Sequence, residues 1–124
     1  MTALSDAVLI VEDEMLIALA LQSQVEDMGL AVCGIAATAD DAIALALKHR
    51  PGVVLMDVRL RGDADGVDAS MAIYGALKSK VIFVTGSREP ATLERINSDH
   101  PYATLFKPVA EDQLAETIRA ARAG

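Results

Sequence analysis

Tryptophan is absent from these 124 residues, and phenylalanine and tyrosine occur only twice each. Any core must therefore be aliphatic. With 52 % hydrophobic residues there is enough apolar side chain to build one, and disorder is excluded. Cys33 is the only cysteine, so an internal disulfide is excluded and a reducing cytoplasm is the expected compartment. No apolar run approaches the ~20 residues of a membrane span. The short polar start, Met1 to Asp6, followed only by Ala7 to Val11, is not built as a signal peptide. Basic residues are outnumbered 11 to 18, for a net charge of -7. A phosphate backbone repels such a chain, and no basic run offers an arm to nucleic acid or membrane. The length fits one compact domain. No repeat, linker or low-complexity stretch interrupts it, so residues 1–124 read as a single domain with its core at about 7–123.

What the chain does have is a rhythm. Four-residue apolar runs recur at Val8–Val11, Val53–Met56, Val81–Val84 and Ala103–Phe106. Continuous runs of this kind suit strands covered on both faces. Leu30 to Ile35, interrupted by Gly34, is a weaker fifth candidate expected near an edge. Helical patterns fill the intervals. Ile17, Leu21, Val25 and Met28 form one stripe, stopped by Gly29. Thr38 with Asp41 suggests a capping box for a helix whose face runs through Ile43 and Leu47, with Lys48, His49 and Arg50 at its end and Pro51 beyond. Gly66 to Leu77 forms a third helix, weakened by Gly75. Glu89 to Asp99 forms a fourth, with Pro90 in its first turn. Leu114, Ile118 and Ala121 give the last helix one buried face. Strand then helix, five times over, predicts a doubly wound α/β sandwich with right-handed crossovers.

In such sheets the functional crevice lies beyond the carboxyl ends of the strands. The residues there are Glu12 and Asp13, then Asp57, then Thr85 and Gly86, then Lys107 and Pro108. Three carboxylates together raise one another's pKa unless a counter-charge intervenes. A hard divalent cation such as Mg2+, which takes carboxylate, water and phosphate oxygens, meets that need. Lys107 adds a point charge, Thr85 a hydroxyl donor, and Gly86 an uncrowded approach. Asp57 is then the best nucleophile toward phosphorus, a reaction needing little beyond positioning and electrostatics.

In this order and spacing, Glu12-Asp13, Asp57, Thr85 and Lys107-Pro108 resemble the receiver domain of two-component response regulators over residues 7 to 123. The resemblance implies the flavodoxin-like strand order 2-1-3-4-5. It implies phosphoryl transfer to Asp57 from a histidine kinase or histidine phosphotransfer protein. It further implies Mg2+ among Glu12, Asp13, Asp57 and the Arg59 backbone carbonyl. Thr85, Gly86 and Lys107 would bind the phosphoryl group, and the bond to Pro108 would be cis. Phosphorylation would then switch contacts with a downstream protein target, with homodimerisation possible through the face of the fourth helix, last strand and last helix. A stand-alone regulator or phosphorelay shuttle is the expected form.

Three departures stand out. Receivers carry an aromatic switch residue three positions before the lysine, and here that position is Thr104; Tyr102 and Phe106 sit nearby, and their side chains need not point with it. Phe83-Val84-Thr85-Gly86 resembles a subset with a Phe-x-Thr-Gly fourth strand and no switch aromatic. Coupling is therefore expected to run from Thr85 through residues 86 to 90 into the fourth helix. The loop after Asp57 is about one residue longer than usual, and Arg59 stands where hydrolysis of the acyl phosphate is tuned, which suggests slow self-dephosphorylation.

Blander or rival readings remain beside these. Each acid alone could be a turn former or helix cap. Gly62 to Gly66 is no calcium loop, since Arg61 fills its first ligand position and the closing Glu is missing. His49 and His100 read as isolated surface residues. An aspartyl-phosphate phosphatase of the haloacid dehalogenase type would need a second Asp two residues from its nucleophile, after the first strand, and Glu12-Asp13-Glu14 breaks that pattern. A non-phosphorylated interaction module on the same fold is the other alternative.

Overall fold

A computed structural model of the chain describes residues 3–124. Met1 and Thr2, which open the polar N-terminal stretch, lie outside them. Five strands alternate with five helices: β1 (Ser5–Val11), α1 (Met15–Asp27), β2 (Val32–Ala36), α2 (Ala39–His49), β3 (Pro51–Met56), α3 (Gly66–Leu77), β4 (Lys80–Thr85), α4 (Pro90–Ser98), β5 (Pro101–Phe106) and α5 (Glu111–Ala123). All strand pairs are parallel, in the order β2-β1-β3-β4-β5. This is the flavodoxin-like arrangement expected from the sequence. The chain reverses its direction of travel across the sheet after β2, and a crevice opens at the carboxyl ends of β1 and β3.

The continuous apolar runs have a plain cause. Leu9, Val11, Val54, Met56, Val81 and Phe83 pack toward α2 and α3. The alternate residues Val8, Ile10, Val53, Leu55, Ile82 and Val84 pack with Leu21, Val25, Leu114 and Ile118 of α1 and α5. Both faces of the central strands are thus dry, and no polar residue can alternate into them. The edge strand β2 is only half-buried, apart from Ala36. None of the described helices is long and apolar enough to cross a membrane.

Three helix expectations need correcting. The inner face of α2 is built from Ala39, Ala42 and Ala46, while Leu47 is 53 % exposed. Alanines let α2 approach the sheet and α3 closely, and that rotates Leu47 outward. Capping of α1 does not fall to Glu12 or Asp13. Its N-cap is Glu14, whose backbone N–H donates to the Glu12 carboxylate at 3.1 Å. The capping box expected on α2 is only half formed: Thr38 accepts from the Asp41 N–H at 3.1 Å, without the return bond from the Asp41 side chain. Asp65 with Asp68 forms a full capping box on α3.

The fourth helix is held differently from the rest. Only Ile96 of α4 is buried. Leu93 packs half-buried against the same core, and polar fasteners to α3 do the rest: Arg95 pairs with Asp65 and Asp68, and the Ser70 hydroxyl donates to Asp99 at 2.5 Å. Just beyond α4, His100 stacks on Tyr74 with ring centres 4.3 Å apart. It is therefore exposed but not isolated, and His49 is half-buried.

Candidate functional site

Each candidate side chain is delivered by a strand end that backbone bonds hold in place. The Asp57 N–H donates to the Val11 carbonyl at 2.9 Å, the Glu12 N–H to Ala36 at 2.8 Å, and the Lys107 N–H to Thr85 at 2.9 Å. These bonds extend the sheet one residue past its regular strands, so the acids, hydroxyl and ammonium are fixed relative to one another. One oxygen from each of Glu12, Asp13 and Asp57 lies within 4.8 Å of the others. The Lys107 ammonium bridges two of them, at 2.6 Å from Glu12 Oε1 and 3.2 Å from Asp57 Oδ2. The other Asp57 oxygen accepts from the Val58 N–H at 2.8 Å. The Lys107–Pro108 peptide is cis.

The electrostatics are asymmetric. Burial alone would raise the pKa of Glu12, but hydrogen bonds from Lys107 and the Glu14 N–H outweigh it and hold the carboxyl below its ordinary value. Asp57 goes the other way, pushed up to about 6 by burial and by the Glu12 charge, with Lys107 only partly offsetting them. Lys107 rises, because its two carboxylate partners outweigh its own burial. One ammonium is too little charge for three acids, and Asp57 bears the deficit.

This deficit makes a stability prediction. The folded-state pKa of Asp57 lies above its unfolded value, so folding stability falls as pH rises between about 4 and 6 and stays reduced above that. Asp57→Asn removes the charge. It is expected to stabilise the metal-free protein by about 1–3 kcal/mol at neutral pH, with the gain fading toward pH 4. Urea unfolding of both proteins across that range checks it; a destabilised Asn variant at pH 7.5 contradicts it.

An open cleft of about 500 Å³ lies over these groups, lined by Asp13, Asp57, Arg59, Thr85, Gly86 and Lys107 among others. Thr85 is 2 % exposed, and its hydroxyl oxygen accepts from the Ser87 N–H at 3.1 Å. Its own hydrogen remains available to an acceptor in the cleft. A Cβ at Gly86 would meet no protein atom within 4 Å. The fold itself therefore does not require glycine at this position. Hard carboxylate oxygens with unbalanced negative charge are the donor set Mg2+ takes, and the three acids fit that ion.

Sequence reasoning missed several residues of the site. Glu14, Ile17, Ser87, Arg88 and Glu89 also line the cleft. Gly66 is more consequential. A Cβ there would lie 1.8 Å from the Asp57 carbonyl oxygen, and the Gly66 N–H donates to Val58 at 2.7 Å. The start of α3 is thus packed directly on the backbone of Asp57. Thr104 is half-buried and sits opposite Phe83 in register. Since Ala103 and Leu105 pack toward α1 and α5, alternation puts Tyr102, Thr104 and Phe106 on one common face. The expectation that the two aromatics need not point with Thr104 is corrected by that alternation.

Residues 8–119 match the response regulator receiver domain family. The chain belongs to that family. Its members are signalling modules that interact with histidine kinases, not conventional enzymes. Among curated relatives, the phyllosphere-induced regulator PhyR of Methylorubrum extorquens is 37 % identical over 82 % of this chain and 39 % of its own length. The transcriptional regulatory protein PdtaR of Mycobacterium tuberculosis is 32 % identical over 92 % of this chain and 55 % of its own. The receiver thus spans about half or less of the curated relatives it matches. Among solved structures, the signal receiver domain of a modulated diguanylate cyclase from Desulfovibrio desulfuricans G20 superposes with a TM-score of 0.88 at 36 % identity, covering 93 % of this chain and 91 % of that one. The receiver domain of Erythrobacter litoralis PhyR gives 0.84 at 35 % identity, covering 96 % and 91 %.

Proposed function

We propose that this receiver accepts a phosphoryl group on Asp57 from a histidine kinase or histidine phosphotransfer protein and passes the signal on through protein contacts. The observation that carries this reading is the Asp57 carboxylate at the foot of an open cleft, 3.2 Å from an ammonium and grouped with two further acids. A carboxylate oxygen of Asp57 forms the new P–O bond as the donor's P–N bond breaks. Lys107, held by Glu12, is placed to neutralise charge on the phosphoryl oxygens, and the Thr85 hydroxyl to donate to one of them. Gly86 leaves the approach open. Glu12, Asp13, Asp57 and the Arg59 backbone carbonyl are the groups that would hold Mg2+, which when bound supplies positive charge against those same oxygens.

The donor must bring its imidazole to this cleft, and the rim is apolar where it would dock. Met15 and Leu16 at the start of α1 are 60 % and 84 % exposed. A groove lined by Leu16, Ile17, Pro108 and Val109 runs beside them. A downstream partner or a second copy would use the face of α4, β5 and α5.

The test is a mass measurement. Incubation with acetyl phosphate and Mg2+ is expected to add one phosphoryl group to the wild type and none to Asp57→Asn. No gain in wild type would favour the non-phosphorylated interaction module. Turnover of a phosphomonoester would favour a phosphatase.

Arg59 lines the cleft two residues beyond Asp57. A guanidinium cannot take a proton from attacking water, and it can pair with phosphoryl oxygens. Self-dephosphorylation is therefore expected to be slow, and Arg59→Asn to shorten the phosphoryl half-life several-fold, read by intact mass over time. A longer half-life in the variant contradicts this role.

A further inference from the structure

The position that carries the family's aromatic switch holds Thr104 here, so something else must report the state of Asp57. Arg88 lies between Thr85 and α4, on the segment that lines the cleft. Its guanidinium sits over the ring of Phe106, 4.1 Å from the ring centre. It makes no ion pair with a carboxylate among the described residues. Arg88 thus touches two places at once, the phosphorylation cleft and the aromatic face of the edge strand.

We propose that Arg88 is a phosphoryl-binding residue parked on Phe106, and that its transfer from ring to phosphoryl group is the outward signal of phosphorylation. This rests on Asp57 being the phosphoacceptor. The charge balance gives the reason. The single Lys107 ammonium is already shared between Glu12 and Asp57. A phosphoryl group adds negative charge and three acceptor oxygens to a cleft whose cations are already outmatched. A guanidinium over a half-buried ring is held less strongly than a charge-assisted, forked pair with phosphoryl oxygens. Arg88 is therefore free to leave, and the phosphoryl group gives it somewhere better to go. Arg59 is the other guanidinium in the cleft, but among the described residues it stacks on no ring, and it rides the loop directly after Asp57.

Two consequences follow from the move. The ring of Phe106, half-buried beside Thr104, loses its cover on the α4 side. The segment between Thr85 and Pro90 is drawn toward Asp57 and pulls on the first turn of α4, a helix with only Ile96 buried. The phosphoryl group thereby reaches the α4–β5 surface without an aromatic rotor.

The chain has only two phenylalanines, so protein made with 4-fluorophenylalanine gives two fluorine resonances. Phe83 is fully buried and serves as the internal reference. With acetyl phosphate and Mg2+, and the phosphorylated fraction counted by mass, the Phe106 resonance is expected to move. Its new position should lie toward that of unphosphorylated Arg88→Ala, in which the ring is already uncovered. In Arg88→Ala, phosphorylation should move it little, and the phosphoryl half-life should be shortened by about threefold to tenfold. Arg88→Lys keeps the charge without the planar fork and should behave like the Ala variant in half-life. A phosphorylated wild type with an unmoved Phe106 resonance overturns the proposal, as does an equal shift in phosphorylated Arg88→Ala. Absence of any mass gain in wild type overturns the phosphoacceptor reading itself, and this one with it.

Discussion

Gly66→Ala is expected to lose about 3 kcal/mol or more of folding stability, although both residues are small and alanine is the better helix former. The added Cβ would stand 1.8 Å from the Asp57 carbonyl oxygen, 2.8 Å from the carbonyl carbon and 3.0 Å from the Val58 Cα. All three are backbone atoms, so no side chain can rotate out of the way. Either α3 retreats from the β3 end, breaking the bond from the Gly66 N–H to Val58, or Asp57 itself is displaced. Both routes also damage the site, so any folded fraction should take up phosphoryl groups poorly. Gly75, in the same helix, is the control. A Cβ there meets nothing within 4 Å, and Gly75→Ala is expected to gain about 0.5–1 kcal/mol. Urea unfolding of both variants reads the contrast; equal and small changes would show that the close approach at Gly66 is not real.

Lys107→Met should be the other severe change. Its ammonium bonds both Glu12 and Asp57, and the Glu12 side chain is only 1 % exposed. Removing one partner of a buried pair leaves an uncompensated charge, a loss of about 3–5 kcal/mol in the extreme and about 2–4 kcal/mol here, where one side opens to the cleft. The pH dependence has a definite sign. The Glu12 carboxyl is depressed, so its contribution is present above the ordinary carboxylate range and lost as pH falls through the folded value. Lys107 is raised, so its contribution persists until pH climbs past the ordinary lysine range. The full deficit of the Met variant therefore appears at neutral pH and narrows under acid, where both carboxylates are protonated. Glu12→Gln in the same background should recover part of the loss, since it removes the stranded charge. A Met variant as stable as wild type at pH 7.5 would mean that the three strand-end groups do not form one electrostatic unit.

Much of this was legible in the residues alone, for identifiable reasons. Strands buried on both faces read as unbroken apolar runs, and the groups that follow them, Glu12, Asp57, Thr85 and Lys107, mark the crevice. The fifth strand read weakly because β2 is an edge, half in solvent and interrupted by Gly34. Leu47 misled because the eye follows large apolar residues, while α2 is packed through its alanines. The common face of Tyr102, Thr104 and Phe106 follows from counting steps of two along β5. Gly66 and Arg88 were beyond reach for a different reason. What matters in each is a through-space approach, to the Asp57 carbonyl in one case and to the Phe106 ring in the other. No local pattern of residues encodes such an approach.

Packing and ion pairs connect the site to α4. Asp57 touches the start of α3 through Gly66, and α3 is tied to α4 through Asp65, Asp68 and Ser70. Arg88 offers a second route on the opposite side of the cleft. Both end on α4, the helix least anchored by apolar burial.

The central claim, that Asp57 carries the phosphoryl group, is tested most directly by locating the modified residue. After reaction with acetyl phosphate and Mg2+, borohydride reduces an aspartyl phosphate to homoserine, which peptide mass mapping then finds. Homoserine at position 57, and at neither Glu12 nor Asp13 as the corresponding alcohol, is the predicted result. Reduction at another carboxylate, or an unmodified map from protein that has gained the phosphoryl mass, would contradict it.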